Sequence, residues 1–233
     1  MATLKKSNPS FAHCQARYFL AYKGKRIVGR VAAIINHNAN RDWKEKNIRF
    51  GWFDFIDDIN VSRKLLEAVG KWGIECGMER ISGPWGFTDM DKEGLLTEGF
   101  DQLQSITTLY NYPYYSKHLE QLGFVKDVEW VQMKLDLPQV KHPKFEKFDK
   151  IICEKYGLSI LKPKNKKELI GRAKEIFKVL NDSYCVLHEF SKLNEEQINT
   201  YIAQYIPLIN IELICLIVDS DNRIVGFAIT MPS

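Results

Sequence analysis

Two segments almost the whole chain apart read alike. "RYFLAYKGKRIVGRVAAII" occupies residues 17–35 and "ELICLIVDSDNRIVGFAITM" occupies 212–231. Each runs β-rich segment, short polar turn, Arg-Ile-Val-Gly, β-rich segment, which is the pattern of an antiparallel hairpin. The matching context supports one hairpin used twice rather than a tetrapeptide met twice by chance. It commits the 233 residues to sheet in two places, and a chain of that length can hold two small domains with separate cores.

Between the hairpins the hydrophobic period changes several times. "IRFGWFDFI" (48–56) alternates, with Ile48, Phe50, Trp52, Asp54 and Ile56 on one face and Arg49, Gly51, Phe53 and Phe55 on the other. Bulky apolar residues on both faces predict a central, doubly covered strand. From Asn60, a plausible N-cap, the period becomes helical: Val61, Leu65, Leu66, Val69, Trp72 and Cys76 form one stripe that Gly77 ends. Residues 79–84 read as a short strand and 85–109 as a long surface excursion. A helix over 114–122, a strand over 128–137 and a lysine-rich linking helix over 138–157 follow. A strand from Gly157 and helices over 165–185 and 194–206, the latter opened by Asn194, lead to the second hairpin. "INHNAN" around His37 reads as a polar turn.

Composition excludes several function classes. A formal charge of +4 is too mild to point to nucleic acid. The lysines from Lys141 to Lys174 alternate with Glu146, Asp149, Glu154 and Glu168, as on solvated helix faces. RNA is therefore not an expected partner. Five cysteines are scattered without a C-x-x-C pair, so a reducing cytoplasm is expected. The longest apolar run is broken by Asn210 and Glu212, so no membrane span is expected. No G-x-S-x-G, P-loop, Ser-His-Asp arrangement or histidine ligand pair is legible, and Asp89-x-Asp91-x-Glu93 lacks the remaining spacing of an EF-hand loop. No metal is expected.

A hairpin whose second strand reads R-I-V-G-x-A, then strand, helix, strand and a short helix ending in Leu122-Gly123-Phe124, resembles the GNAT (acyl-CoA N-acyltransferase) superfamily. "GPWGFTDMDKEGLLTEGFD" with "YNYPYYSKHLEQLGF" is similar to a bacterial subgroup carrying two such domains in tandem. The resemblance implies an α+β fold, a mixed sheet flanked by helices. It implies a first domain over 1–137 with a short N-terminal part, a linking helix over 138–156, and the start of a second domain over 157–233. The chain then reads as a fragment of a longer tandem protein.

The resemblance also implies an N-acyltransferase that takes acetyl-CoA or another acyl-CoA and a small amine. Asp54, flanked by Phe53 and Phe55, is the candidate base, expected to be desolvated with a raised pKa. Where relatives carry a tyrosine acid this chain has Leu119, so Tyr110, Tyr114 and Tyr115 are the substitutes. The junction "FIDDINVSRKLL" stands where the family holds the CoA pyrophosphate at a helix N-terminus. Phe55, Ile56, Asn60, Ser62, Arg63, Lys64 and, further on, Asn111 are its candidate contacts. The family's glycines are absent, and Asp57 and Asp58 stand at the mouth. Phe87, Asp91, Glu93, Glu98 and Phe100 are candidate contacts for a cationic amine. A non-catalytic GNAT-like interaction module and a Fem-type aminoacyl transferase are the alternatives.

Overall fold

The computed structural model describes residues 5, 7–105, 108–136 and 143–231. The chain divides into two compact units. One comprises Met1–Asp127 with Leu187–Lys192, the other Val128–Val186 with Leu193–Ser233. The fold is mixed α+β, and no described helix is long and apolar enough to cross a membrane.

The first unit is built on a sheet in the order β1-β2-β3-β4, from β1 (Cys14–Lys23), β2 (Arg26–Asn36), β3 (Asn47–Phe55) and β4 (Arg80–Ser82). The first three are antiparallel neighbours, and β4 runs parallel to β3 over Asn47–Arg49. Helix α2 (Ile59–Glu75) lays its Val61, Leu65, Leu66, Val69 and Trp72 on one sheet face, against Val31, Ala33, Ile35, Ile48, Phe50, Phe53 and Phe55. Its cap is Asp58, whose carboxylate accepts from the Asn60 N–H, so the helix starts before the expected Asn60. The predicted polar turn at His37 is instead helix α1 (His37–Trp43), capped by Asn36, whose side chain accepts from the Ala39 N–H. Helix α3 (Tyr114–Gln121) adds Tyr115 and Leu119 to the same core.

The strict alternation expected along 48–56 fails at Trp52. Trp52 and Phe53 together oppose Val31, because Ala32 pairs Gly51 while Arg30 pairs Asp54. Trp52 has φ +44°, a left-handed conformation that bulky residues rarely adopt. The bulge puts Ile48 and Phe50 on the same side as Phe53 and Phe55, and turns Trp52 to the opposite face with Cys14, Ala32, Ile34 and Phe87.

In the second unit the strand order is β5-β6-β7, all antiparallel, from β5 (Ser159–Leu161), β6 (Ile214–Val218) and β7 (Ile224–Ile229). Helices α4 (Pro143–Tyr156), α5 (Lys166–Tyr184) and α6 (Glu195–Tyr205) accompany them, with α6 opened by a reciprocal Asn194–Gln197 capping box. Residues 128–136 form no strand, contrary to the alternation read there. Their Val131, Met133 and Leu135 are exposed, and without a ladder alternation alone does not make a strand. The rest of that prediction, and the first residues of the linking helix, lie outside the described residues.

Both RIVG hairpins carry the same irregularity. Ala21 pairs Gly29 and Tyr22 pairs Ile27, leaving Val28 as the extra residue. Ile217 pairs Gly226 and Val218 pairs Ile224, leaving Val225 as the extra residue.

Candidate active site

The C-terminal end of β3 gathers the predicted catalytic residues. Asp54 lies on β3 opposite Arg30, whose guanidinium Nη2 donates to Oδ2 at 2.7 Å. The other oxygen, Oδ1, accepts from the Tyr115 hydroxyl at 2.8 Å. That hydroxyl also accepts from the Phe55 N–H at 3.3 Å, and Tyr114 donates to the Phe55 carbonyl at 2.6 Å. Tyrosine hydroxyls therefore complete the strand-edge peptide groups of Phe55. Burial, with the Asp54 carboxylate close behind, pushes the Tyr115 hydroxyl well above its ordinary range. Asp54 itself is not desolvated as predicted: its side chain is 57% exposed and ion-paired. The reason is the bulge, which leaves Phe53 and Phe55 pointing into the core and Asp54 facing outward. A shallow cleft of about 210 Å³ lies beside it, lined by Ile27–Arg30 and Asp54–Ile56. Tyr110 is exposed and donates to the Phe100 carbonyl at 3.3 Å.

The start of α2 does not present the expected cradle. Ser62 is fully buried, its hydroxyl donating to the Ile59 carbonyl at 3.1 Å and lying 2.9 Å from His118 Nδ1. His118 Nε2 sits 3.0 Å from an Asp57 carboxylate oxygen. This Ser62–His118–Asp57 chain was not legible in the sequence. With the serine enclosed it ties α2 to α3 and offers no nucleophile. Asp58 occupies the cap, and Arg63 and Lys64 are exposed, with an Arg63 guanidinium N 3.4 Å from Asn60 Oδ1. Two carboxylates at the mouth and an inward serine do not fit a CoA pyrophosphate.

A second cluster lies over the middle of β3. The backbone of 83–86 is pressed onto the strand, with the Trp85 N–H donating to the Phe50 carbonyl at 2.8 Å. A Cβ on Gly51 would stand 2.0 Å from the Trp85 carbonyl oxygen, so only glycine admits this approach. Beneath lies Arg49, 2% exposed. Its Nη2 donates to the Glu189 carbonyl at 2.7 Å, its Nε lies 3.3 Å from the Glu189 carboxylate, and the Trp85 ring faces it at 5.4 Å. Glu189 is 3% exposed and also accepts from Asn47 at 3.0 Å and from Arg80 at 3.2 Å. Asp91 clamps its own loop, accepting from the Phe87 N–H at 2.9 Å. Asp89 accepts from its own backbone N–H, and burial outweighs that bond. Burial is the main cause that raises Asp89 to about 7, opposed by Arg49. Burial and then the neighbouring Asp89 raise Glu93 to about 8.

Of the predicted amine contacts, Glu93 is half-buried and feels the charges of Asp89, Arg49, Asp91 and Glu189. Phe87 is wholly buried core, and Asp91 serves its loop. Glu98 is exposed and Phe100 half-buried, and neither joins the Arg49 cluster in any described contact. Asn111 is a structural clamp, accepting from the Leu96 N–H at 2.7 Å and donating to the Leu96 carbonyl at 3.1 Å. Asp127, His188 and Glu189 bring possible metal-ligand atoms within 4.8 Å of one another. Arg80 ion-pairs with both carboxylates and already supplies the positive charge a cation would bring. The sequence did contain one signal for the missed residues: an arginine in a strand apolar on both faces needs a buried acid.

Sequence comparison finds two curated bacterial relatives. "Protein YghO" of Escherichia coli (strain K12) is 33% identical over 137 residues. "Bacterial ceramide synthase" of Caulobacter vibrioides is 29% identical over 136 residues. Each alignment covers 58% of this chain and 35% of the relative, so the chain spans about a third of the length of the curated relatives it matches. No protein-family profile matches the chain, and no solved structure does.

Proposed function

We propose that the chain is the core of an N-acyltransferase, joining an acyl group from a thioester to a primary amine. The observation that carries this reading is the similarity over 136 residues to a bacterial ceramide synthase, whose named product is an amide of a long-chain amino alcohol. The amine class is accordingly that of a long-chain amino alcohol, which narrows the small amine expected from the sequence. Acyl transfer of this kind needs alignment and proton handling rather than a covalent intermediate. The unit offers acids suited to that task near neutrality, Asp89 at about 7 and Glu93 at about 8.

The test is a reaction of the full chain with palmitoyl-CoA, acetyl-CoA and a panel of primary amines that includes a long-chain 2-amino-1,3-diol. Amide is read by mass spectrometry and free thiol by a colorimetric reagent. Amide and thiol in equal amounts support the reading; neither product with any pair overturns it. The closed start of α2 favours a second reading, a non-catalytic interaction module. Titration calorimetry of CoA separates the two: binding that weakens on Arg63→Ala and Lys64→Ala restores the cradle, and no heat at millimolar ligand favours the module.

A further inference from the structure

We propose that the open face of the first RIVG hairpin is a dimer interface, covered by helix α4 of a second copy of the chain. This interface stands or falls apart from the acyltransfer reading.

The two hairpins share a register, so their positions match one by one. Ala21 and Gly29 stand where Ile217 and Gly226 stand, and Tyr22 and Ile27 stand where Val218 and Ile224 stand. Leu20 then corresponds to Leu216. In the second hairpin Leu216, Val218 and Ile224 are closed, 0%, 5% and 6% exposed, in one cluster with Leu169, Ala173 and Ile176 of α5. In the first hairpin Leu20, Tyr22 and Ile27 are 51%, 59% and 54% exposed. Their neighbours Phe19, Ala21 and Val28 pack with α2 on the other side of the sheet. The same hairpin therefore has a helix over this face in one unit and none in the other. Apolar faces left open in this way mark interaction surfaces.

Helix α4 has the opposite deficit. Phe148, Ile152 and Tyr156 recur at helical spacing, with Ile151 beside them. All four are exposed, and no residue of α4 is buried. A face without a helix and a helix without a face can close each other across two copies. Two-fold pairing makes the contact twice, and both count toward the roughly 1,200–2,000 Å² that a stable interface buries.

Charge selects the same occupant. In the second unit α5 brings a cation to an acidic turn, Arg172 donating to the Asn222 carbonyl at 2.7 Å beside Asp219 and Asp221. The first turn has the opposite sign. Its Lys25 and Arg26 are exposed and form no ion pair among the described residues. Helix α4 carries Glu146 and Asp149 along one flank of its apolar stripe, while Lys144 and Lys147 border the other, which leaves an acidic flank to meet that turn. Ile27 also lines the cleft beside Asp54, so the partner's helix would wall that cleft.

The test is sedimentation velocity of the full chain under reducing conditions across micromolar concentrations. A monomer–dimer equilibrium is expected. Leu20→Asp and Ile152→Asp, both at exposed positions, should each raise the dimer dissociation constant about ten-fold or more. Mixed together, the two variants should regain dimer. Their heterodimer keeps one unaltered contact, between the face of the Ile152→Asp chain and the helix of the Leu20→Asp chain. Circular dichroism checks the fold, and Leu20→Ala and Ile152→Ala replace any aspartate variant that unfolds. A monomer at every concentration overturns the proposal. So does a dimer that Ile152→Asp leaves unchanged, which would mean that the face pairs with itself or that another surface is used.

Discussion

Two stretches of one strand treat acidic groups in opposite ways. At the end of β3, Asp54 points outward beside Arg30 and stays in water. Five residues earlier in the chain, Arg49 lies under a backbone segment pressed so close that only glycine fits at position 51. Two acids that feel its charge, Asp89 and Glu93, are pushed toward neutrality by burial. The carboxylate that resembles a family base by position lacks the environment of one, and the environment occurs where position did not indicate it. A group's titration follows from solvent and neighbours rather than from its place in an alignment.

The hardest way to break this contrast is to remove the acid beneath it. Glu189→Ala leaves Arg49 charged and buried without its partner, which costs about 3–5 kcal/mol and shows as a lower denaturant midpoint. Asp54→Ala under the same conditions should cost far less. Next in size is Gly51→Ala, whose methyl group meets the Trp85 carbonyl at 2.0 Å. Backbone on both sides must move, at a cost of about 1–3 kcal/mol, and the raised acids should shift back toward ordinary values as the segment lifts.

Much of the first unit was legible because it is local: hairpin, helix stripe and helix stop follow from periods of two and 3.6 and from glycines. The second unit's helices and strands were legible for the same reason. The bulge at Trp52 was not, since an extra residue shifts the phase of an alternation without changing its letters, and every facing assignment after it inverted. Asp54 was expected to be desolvated by its neighbours Phe53 and Phe55, but both rings turn into the core and leave it outward. Tyr114 and Tyr115, named in the sequence only as substitutes for a tyrosine acid, lie beside it, and their bonds to the Phe55 peptide come from packing of α3 on the strand edge. Glu189 could not have been named. Arg49 announced that some acid was needed, and nothing local says that it comes from 140 residues further on.

Acidity separates the two places in a way that can be scanned. Asp89 and Glu93 ionise in the unfolded chain above about pH 4, but in the folded chain only near 7 and 8. Between those limits the folded state binds more protons than the unfolded one, so this pair lowers stability as pH rises from about 4 to about 8. The difference between Asp89→Asn/Glu93→Gln and the parent, followed by urea unfolding across that range, should therefore move in the variant's favour with increasing pH. A flat difference would mean that the pair is hydrated like Asp54.

The smallest effect belongs to Asp54. Its ion pair with Arg30 is 2.7 Å long, yet both side chains are well exposed, and exposed pairs contribute about 0–1 kcal/mol. Asp54→Asn keeps an oxygen for the Tyr115 hydroxyl and should change stability by less than about 1 kcal/mol. What loss there is should shrink in 1 M salt, because screening acts on an exposed pair. If Asp54→Asn instead abolished amide formation while stability held, the end of β3 would regain the catalytic role that its exposure argues against. The comparison would then turn on where the amine meets the thioester rather than on which acid is buried.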